Sequence, residues 1–428
     1  MESAKGDRLV RAVFEAPPPA LGGAPRLRLA AVGKAAGPMT AAFVAWAGDR
    51  LRGGVVVAPD DGGPADAALA LLPSTLAVVR SSHPKPDARS EQGARHVLEI
   101  AAAAAADGSP LVVLLSGGAS SLMALPAAGL RLEDKAEAAR RLMHAGAAIG
   151  ELNAVRKHLS AIKGGRLAAA AAGPVVTLAL SDVVSPVADD PSVIGSGPTV
   201  ADPTTFVDAL AIVERYGVRD QIPPGALAVL RRGAAGEIEE TIKPGDARLA
   251  RSEYHVIGSR LDAVAGARRA AEARGYTVTE VPEPLVGEAR EAGASLMALA
   301  VALAAKTPGP LCVLAAGETT VQVRGEGRGG RNQEMALAAA LAAPVDPPFT
   351  RAFALASAGT DGVDGPTDAA GAVVDPGTLA RAARAGLGDP RAYLDRNDSY
   401  RFFEPLGDLI NTGPTGTNVG DLQVVLIG

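Results

Sequence analysis

Short continuous apolar runs recur along the chain, each ending in a turn rich in Gly, Ser or Asp and followed by a helix-compatible stretch. They are Leu27 to Val32 before Gly33-Lys34, Leu111 to Leu115 before Ser116-Gly117-Gly118, and Val175 to Leu180 before Ser181-Asp182. A strand with one wet face alternates apolar and polar residues, whereas an unbroken run suits a strand covered on both faces. The pattern predicts a doubly wound, Rossmann-like α/β domain built on a parallel sheet. A second set begins with Tyr254 to Ile257 and continues with Leu311 to Leu314 and Phe353 to Ala356, while Thr320 to Arg324 alternates like a half-exposed strand. Between the sets, Gln221 to Arg251 carries Pro223-Pro224 and Lys243-Pro244-Gly245, the composition of a connection. This predicts a larger N-terminal domain over 1–245 and a smaller C-terminal α/β domain over 246–428. Ligands of open α/β sheets bind beyond the carboxyl ends of the strands, and the unusual loops fall there in both halves. The expected site is therefore a cleft between the two domains.

Composition narrows the class. The 428 residues are 48% hydrophobic and 21% charged, as in a soluble globular protein. The formal net charge of −5, without a basic stripe, argues against nucleic acid as a partner. Cys312 is the only cysteine, which excludes an internal disulfide and a cysteine-based zinc site. The five histidines show no paired ligand spacing. The N-terminus lacks the apolar core of a signal peptide, and the richest apolar stretch, Leu167 to Leu180, is broken by Gly173-Pro174 before it reaches spanning length. A cytoplasmic protein without a membrane partner is expected.

Several strand-end loops have residues suited to chemistry. Ser116-Gly117-Gly118-Ala119-Ser120-Ser121, ahead of a helix expected from Leu122, offers backbone N–H groups and hydroxyls to phosphate oxygens, or is a serine-capped tight turn. Lys34 is one of only eight lysines and stands at the end of the first strand, as a point charge for a phosphoryl group or a solvated helix-start residue. Asp182 follows a buried strand, where a carboxylate takes a proton from an alcohol or helps hold a cation, or caps the next turn. Gly195-Ser196-Gly197-Pro198 comes shortly after, and His83, in Ser82-His83-Pro84, can reach the cleft. Asp361, Asp364 and Asp368 lie among glycines without calcium-loop spacing; Asp361 and Asp364 would give one or two oxygens to magnesium, or simply make turns. Asn411 to Asn418, including Thr415, supplies neutral donors. Gly325, Gly327 and Gly330 formally match a dinucleotide fingerprint, but the run before them alternates and no acid ends the next strand. That loop instead presents Arg331 ahead of a helix starting near Asn332-Gln333-Glu334, to fork onto a carboxylate or phosphate, or to be solvated.

Taken in order, Ala31-Val32-Gly33-Lys34-Ala35-Ala36, Ser82-His83-Pro84, Leu115-Ser116-Gly117-Gly118-Ala119-Ser120, Lys157-His158-Leu159-Ser160, Leu180-Ser181-Asp182-Val183, Gly195-Ser196-Gly197-Pro198, Gly329-Gly330-Arg331-Asn332-Gln333-Glu334 and Ser357-Ala358-Gly359-Thr360-Asp361-Gly362 resemble the type II glycerate 2-kinase family, whose C-terminal part is the MOFRL domain. The resemblance runs from about Leu9 to the end. It implies transfer of the γ-phosphoryl of ATP, with Mg2+, to the 2-hydroxyl of D-glycerate, by a monomer or homodimer. Lys34, Asp182 and Arg331 then fall on the family's catalytic motifs. Ser116, Gly117, Gly118, Ser120, Ser121, His83, Gly195, Gly197, Asn332, Glu334, Thr415 and Asn418 become substrate or nucleotide contacts. Rival readings are an NAD(P)H-dependent hydroxypyruvate reductase and a non-catalytic sugar-acid binding protein.

Overall fold

The computed structural model describes residues 2–60, 65–343 and 349–428. The chain divides into two compact units, each drawn from more than one stretch: residues 6–180 with 189–257, and residues 2–5 with 181–188 and 258–428.

In the first unit β1 (Leu27–Val32), β2 (Leu51–Pro59), β3 (Leu76–Ser81), β4 (Leu111–Leu115), β5 (Val175–Leu180) and β6 (Ser252–Gly258) form a sheet in the order β3-β2-β1-β4-β5-β6. The pairs β2–β3, β1–β2, β1–β4 and β4–β5 are parallel. β1, β4 and β5 are the apolar runs of the sequence, interrupted only by Arg28 and Thr177, and every residue of β4 and β5 is buried. Leu29 and Ala31 pack with Met39 and Phe43 of the helix Ala36–Ala47. Val57, which alternates out of that cluster, lies against Gly93 of the helix Ala88–Asp107. From β1 the chain moves to β2 on one side, and from β4 to β5 on the other. The loops after β1 and β4 therefore diverge from neighbouring strand ends, the arrangement in which open α/β sheets bind ligands.

Two sequence expectations change here. Tyr254 to Ile257 belongs to β6, the edge of this sheet, rather than opening the second half. Within Gln221 to Arg251, read as a connection, Pro223-Pro224 starts the helix Pro224–Ala234, because proline is preorganised for a first helical turn. Leu230 of that helix joins Leu142, Leu152 and Phe206 in a second apolar cluster made by helices. The short helix Ala119–Leu122 ends at the residue where the sequence predicted a helix to begin.

In the second unit β7 (Thr277–Glu280), β8 (Leu311–Gly317), β9 (Phe353–Gly359), β10 (Gly371–Val374), β11 (Leu409–Ile410) and β12 (Asp421–Ile427) lie in the order β11-β10-β9-β12-β8-β7. β12 runs antiparallel to both β8 and β9, whereas β7 and β8 are parallel. Asp421, first in β12, is thus in register with Gly317 and Gly359, the last residues of its neighbours. Thr320 to Arg324 forms no strand; Thr320 alone makes an isolated bridge, to Glu288. The helices Ala289–Ala304 and Arg331–Ala342 pack on this sheet through Leu296, Ala300, Leu337 and Ala340. No helix among the described residues is long and apolar enough to cross a membrane.

Candidate active site

In the first unit the loops after β1 and β4 are bonded to each other. The N–H of Lys34 donates to the Gly117 carbonyl (2.9 Å), and that of Ala35 to Oγ of Ser116 (3.0 Å). Gly33 makes this approach possible: its φ is +133°, and a Cβ there would stand 2.1 Å from Oγ of Ser116. His83, exposed after β3, joins the same group, since a Cβ on Gly118 would meet its Cδ2 at 2.9 Å. Lys34, His83 and Ser116 to Ser121 are therefore brought together at the carboxyl ends of the parallel strands.

Beside them lies a cationic network that the sequence reading missed. Nζ of Lys163, 1% exposed, donates to Oγ of Ser120 (2.6 Å), the Ser120 carbonyl (3.3 Å) and the Gly195 carbonyl (2.9 Å). Arg156 donates to the same Oγ (2.6 Å) and to Oδ1 of Asn153 (3.3 Å). Ser196 lies 3.0 Å from Ser120 and donates to Asn153. Burial, reinforced by the neighbouring cations, holds the Lys163 ammonium well below its ordinary pKa, and Lys135, also buried, is pushed down to about 7. A usable signal was present: Arg156, Lys157, Lys163 and Arg166 crowd into eleven positions of a chain with only eight lysines.

The glycines 195 and 197 serve this network by shaping its turn, with φ of +59° and +61°. Gly197 also accepts from the N–H of Gly165 (2.9 Å). Of the Lys157-His158-Leu159-Ser160 motif, His158 is sealed between the Ala154 carbonyl (2.7 Å) and Glu240 (3.1 Å), and Lys157 lies 3.5 Å from the buried Asp202. These residues hold elements together.

In the second unit the register of β12 gathers charges. Arg331 forks onto Asp421 with Nε at 2.6 Å and Nη2 at 2.9 Å, and its Nη1 reaches Glu318 at 2.9 Å. Burial opposes the guanidinium charge, but Asp421 and Glu318 outweigh it and hold Arg331 above its ordinary pKa. Burial and the nearby carboxylates of Asp182 and Asp421 push Glu318 up to about 7, against the pull of Arg331. Asp182, in the 181–188 stretch of this unit, accepts from Nδ2 of Asn418 at 2.8 Å. Thr415 closes the adjoining loop, its N–H donating to the Asp361 carbonyl (3.1 Å) and its hydroxyl to the Thr360 carbonyl. Glu318 and Asp421 are further site residues that sequence reasoning missed.

Other expected ligand contacts turn inward. Asn332 accepts from Ser357 (2.6 Å), and Glu334 accepts from Arg290 (2.8 Å) and Asn397 (3.2 Å); both are 1% exposed. The two oxygens of Asp364 accept the N–H groups of Asn332 (3.0 Å) and Gln333 (2.9 Å), capping the helix Arg331–Ala342. Burial pushes its carboxyl up to about 7. Oδ1 of Asp361 accepts from the N–H of Val363 (3.1 Å). Among the described residues no three His, Cys, Asp or Glu side chains are grouped to hold a metal ion. The glycines of the formal fingerprint also have a packing role. A Cβ on Gly325 or Gly327 would collide with Arg396, and one on Gly330 would stand 2.3 Å from Cγ of Asp364.

The chain matches the family described as Domain of unknown function (DUF4147) over residues 1–231 and the MOFRL family over residues 311–421. It is 41% identical over 415 residues to the putative hydroxypyruvate reductase of Agrobacterium vitis, covering 94% of this chain and 88% of that protein. It is 40% identical over 408 residues to the D-glycerate 2-kinase of Thermotoga maritima, covering 94% and 91%. The crystal structure of the Thermotoga maritima glycerate kinase matches with a TM-score of 0.83 at 37% identity, over 100% of this chain and 96% of that one. With both family domains in this order and such similarity along nearly its whole length, the chain belongs to the type II glycerate 2-kinase family.

Proposed function

We propose that this enzyme is a glycerate 2-kinase that transfers the γ-phosphoryl of ATP to the 2-hydroxyl of D-glycerate, giving 2-phosphoglycerate and ADP. The observation that carries the reading is the first unit's strand-end group, in which Lys34 and the Ser116 to Ser121 loop are locked together where the sheet diverges. A lysine and a loop of hydroxyls and N–H groups suit a polyphosphate, and phosphoryl transfer asks the protein for positioning and charge neutralisation more than for covalent help. In the second unit, Asp182 takes the proton of the 2-hydroxyl as the phosphoryl group arrives, and Asn418 fixes the carboxylate that does so. Arg331 supplies positive charge toward the anionic acid. Its two carboxylate partners set its orientation.

Magnesium enters as part of the MgATP substrate, held by the phosphates. The reaction belongs to the cytoplasm, with small molecules as its partners and a monomer or homodimer as its working form.

A reductase acting on hydroxypyruvate is the second reading, because a relative carries that name. It needs a nicotinamide site, and the fingerprint glycines are taken up by packing against Arg396 and Asp364. Purified protein incubated with MgATP and D-glycerate should yield 2-phosphoglycerate, identified by phosphorus NMR. Oxidation of NADH or NADPH by hydroxypyruvate, without a phosphate ester in the first mixture, would replace the kinase with the reductase.

A further inference from the structure

The two arginines at the heart of the two units have opposite electrostatic surroundings. Arg331 has its fork filled by Asp421 and its other edge by Glu318. Arg156 has no Asp or Glu within ion-pair distance among the described residues, and its hydrogen bonds go to neutral oxygens only, on Ser120 and Asn153. Its guanidinium is nonetheless desolvated, and burial holds its pKa below the ordinary value. Among the described residues the buried ammonium groups of Lys135 and Lys163 have no carboxylate within ion-pair distance either, and they add to the same positive field.

Hydrogen-bond capacity sharpens the contrast. The three N–H bonds of Lys163 are matched by three acceptors, so that ammonium is saturated. Oγ of Ser120 accepts from both Lys163 and Arg156, which uses its two lone pairs and directs its own proton to Ser196. Ser196 in turn donates to Asn153. Arg156, by contrast, uses two of its five N–H bonds. A planar fork with N–H bonds to spare, fixed at two points and lacking a carboxylate, matches an oxyanion from outside the chain.

We infer that Arg156, moored by Ser120 and Asn153, is the anchor of an oxyanion subsite in the first unit, taking a phosphoryl group of the nucleotide or the carboxylate of the acid. The identity of these two reactants rests on the kinase reading; the subsite itself does not. Arg156 touches the ligand, while Lys163 ties the Ser120 loop to the Gly195 turn beneath it.

Calorimetric titration of wild-type protein and Arg156→Gln with pyrophosphate, ADP and D-glycerate tests this without turnover. Loss of a charged hydrogen-bonding partner should weaken the bound oxyanion roughly ten- to a hundredfold. Weakened pyrophosphate and ADP with unchanged glycerate identifies a phosphoryl site; weakened glycerate alone identifies a carboxylate site. Unchanged binding of all three by a variant with wild-type circular dichroism and melting temperature overturns the inference. So does wild-type protein that binds none of the probes. Should Arg156→Gln not fold, Arg156→Lys decides, because it keeps the charge and loses the fork; wild-type affinity for all three probes in that variant overturns the subsite. Pyrophosphate binding that depends on Arg156, in a protein that does not phosphorylate glycerate, retains the subsite and removes the kinase reading.

Discussion

Asn418 donates from Nδ2 to Oδ2 of Asp182 at 2.8 Å, joining residues 236 positions apart in the sequence. The bond gives the Asp182 carboxylate a fixed direction. Asn418→Ala should lower kcat about tenfold, less than the hundredfold or more that a positioned general base itself contributes. Asn418→Asp places a like charge beside Asp182 and raises its pKa, so the acidic limb of the kcat profile should move to higher pH. Steady-state kinetics from pH 5 to 9 checks both outcomes; an unmoved limb in Asn418→Asp would remove Asp182 as the base.

Lys34→Met should lower kcat by about a hundredfold or more, the scale lost with one preorganised electrostatic donor, while circular dichroism stays unchanged. The backbone N–H of Lys34 that donates to the Gly117 carbonyl is kept in this variant. Near-normal turnover would take Lys34 out of the mechanism.

Arg331→Ala should damage stability as well as activity. Its removal leaves Asp421, 1% exposed, without its bidentate partner, and breaking a buried pair costs about 3–5 kcal/mol. Urea denaturation should show this loss, and the glycerate KM should rise in whatever folds. A variant unchanged in both respects would refute the assigned role.

Asp364→Asn should cost about 1–3 kcal/mol, because an amide cannot accept two backbone N–H groups with both of its terminal atoms and one donor is orphaned. In the wild type, a carboxyl raised from its ordinary value to about 7 binds its proton more tightly folded than unfolded. Its contribution to stability therefore falls as pH rises from about 4 to about 7 and is constant above that. Urea midpoints across this window for the two proteins should converge toward neutral pH.

Lys135 has the opposite sign. Its pKa is lowered to about 7 by burial, so folding opposes its protonation, fully below pH 7 and progressively less as pH rises toward 10. Lys135→Met should stabilise the protein at pH 6.5 and lose that advantage by pH 9.5, measured as the difference in melting temperature. An advantage that grows with pH would contradict the buried, desolvated ammonium.

The first sheet was legible where burial acts on both faces: Leu27 to Val32, Leu111 to Leu115 and Val175 to Leu180 are strands to the residue. The placement of Tyr254 to Ile257 was not, because an apolar run encodes that it pairs but not with which strand. In the second unit, Arg331 was visible as a charged residue before a helix, yet its partners Glu318 and Asp421 are set by antiparallel register, a long-range property. Arg156 and Lys163 were hidden for a related reason. Their motif sits on and just after a helix, and only folding carries them to the serine loop some forty residues earlier.

The interleaving of the chain also bears on how such a protein can be cut or recombined. A fragment beginning at residue 258 would retain Asn418 yet lack the short 181–188 stretch that presents Asp182 to it. Exchange of C-terminal halves between homologues at a single crossover would likewise separate that pair in origin, one partner from each parent. Successful chimeras should therefore be those that transplant the eight-residue stretch together with the tail, and gene duplication of either half alone should yield an orphan rather than a working module.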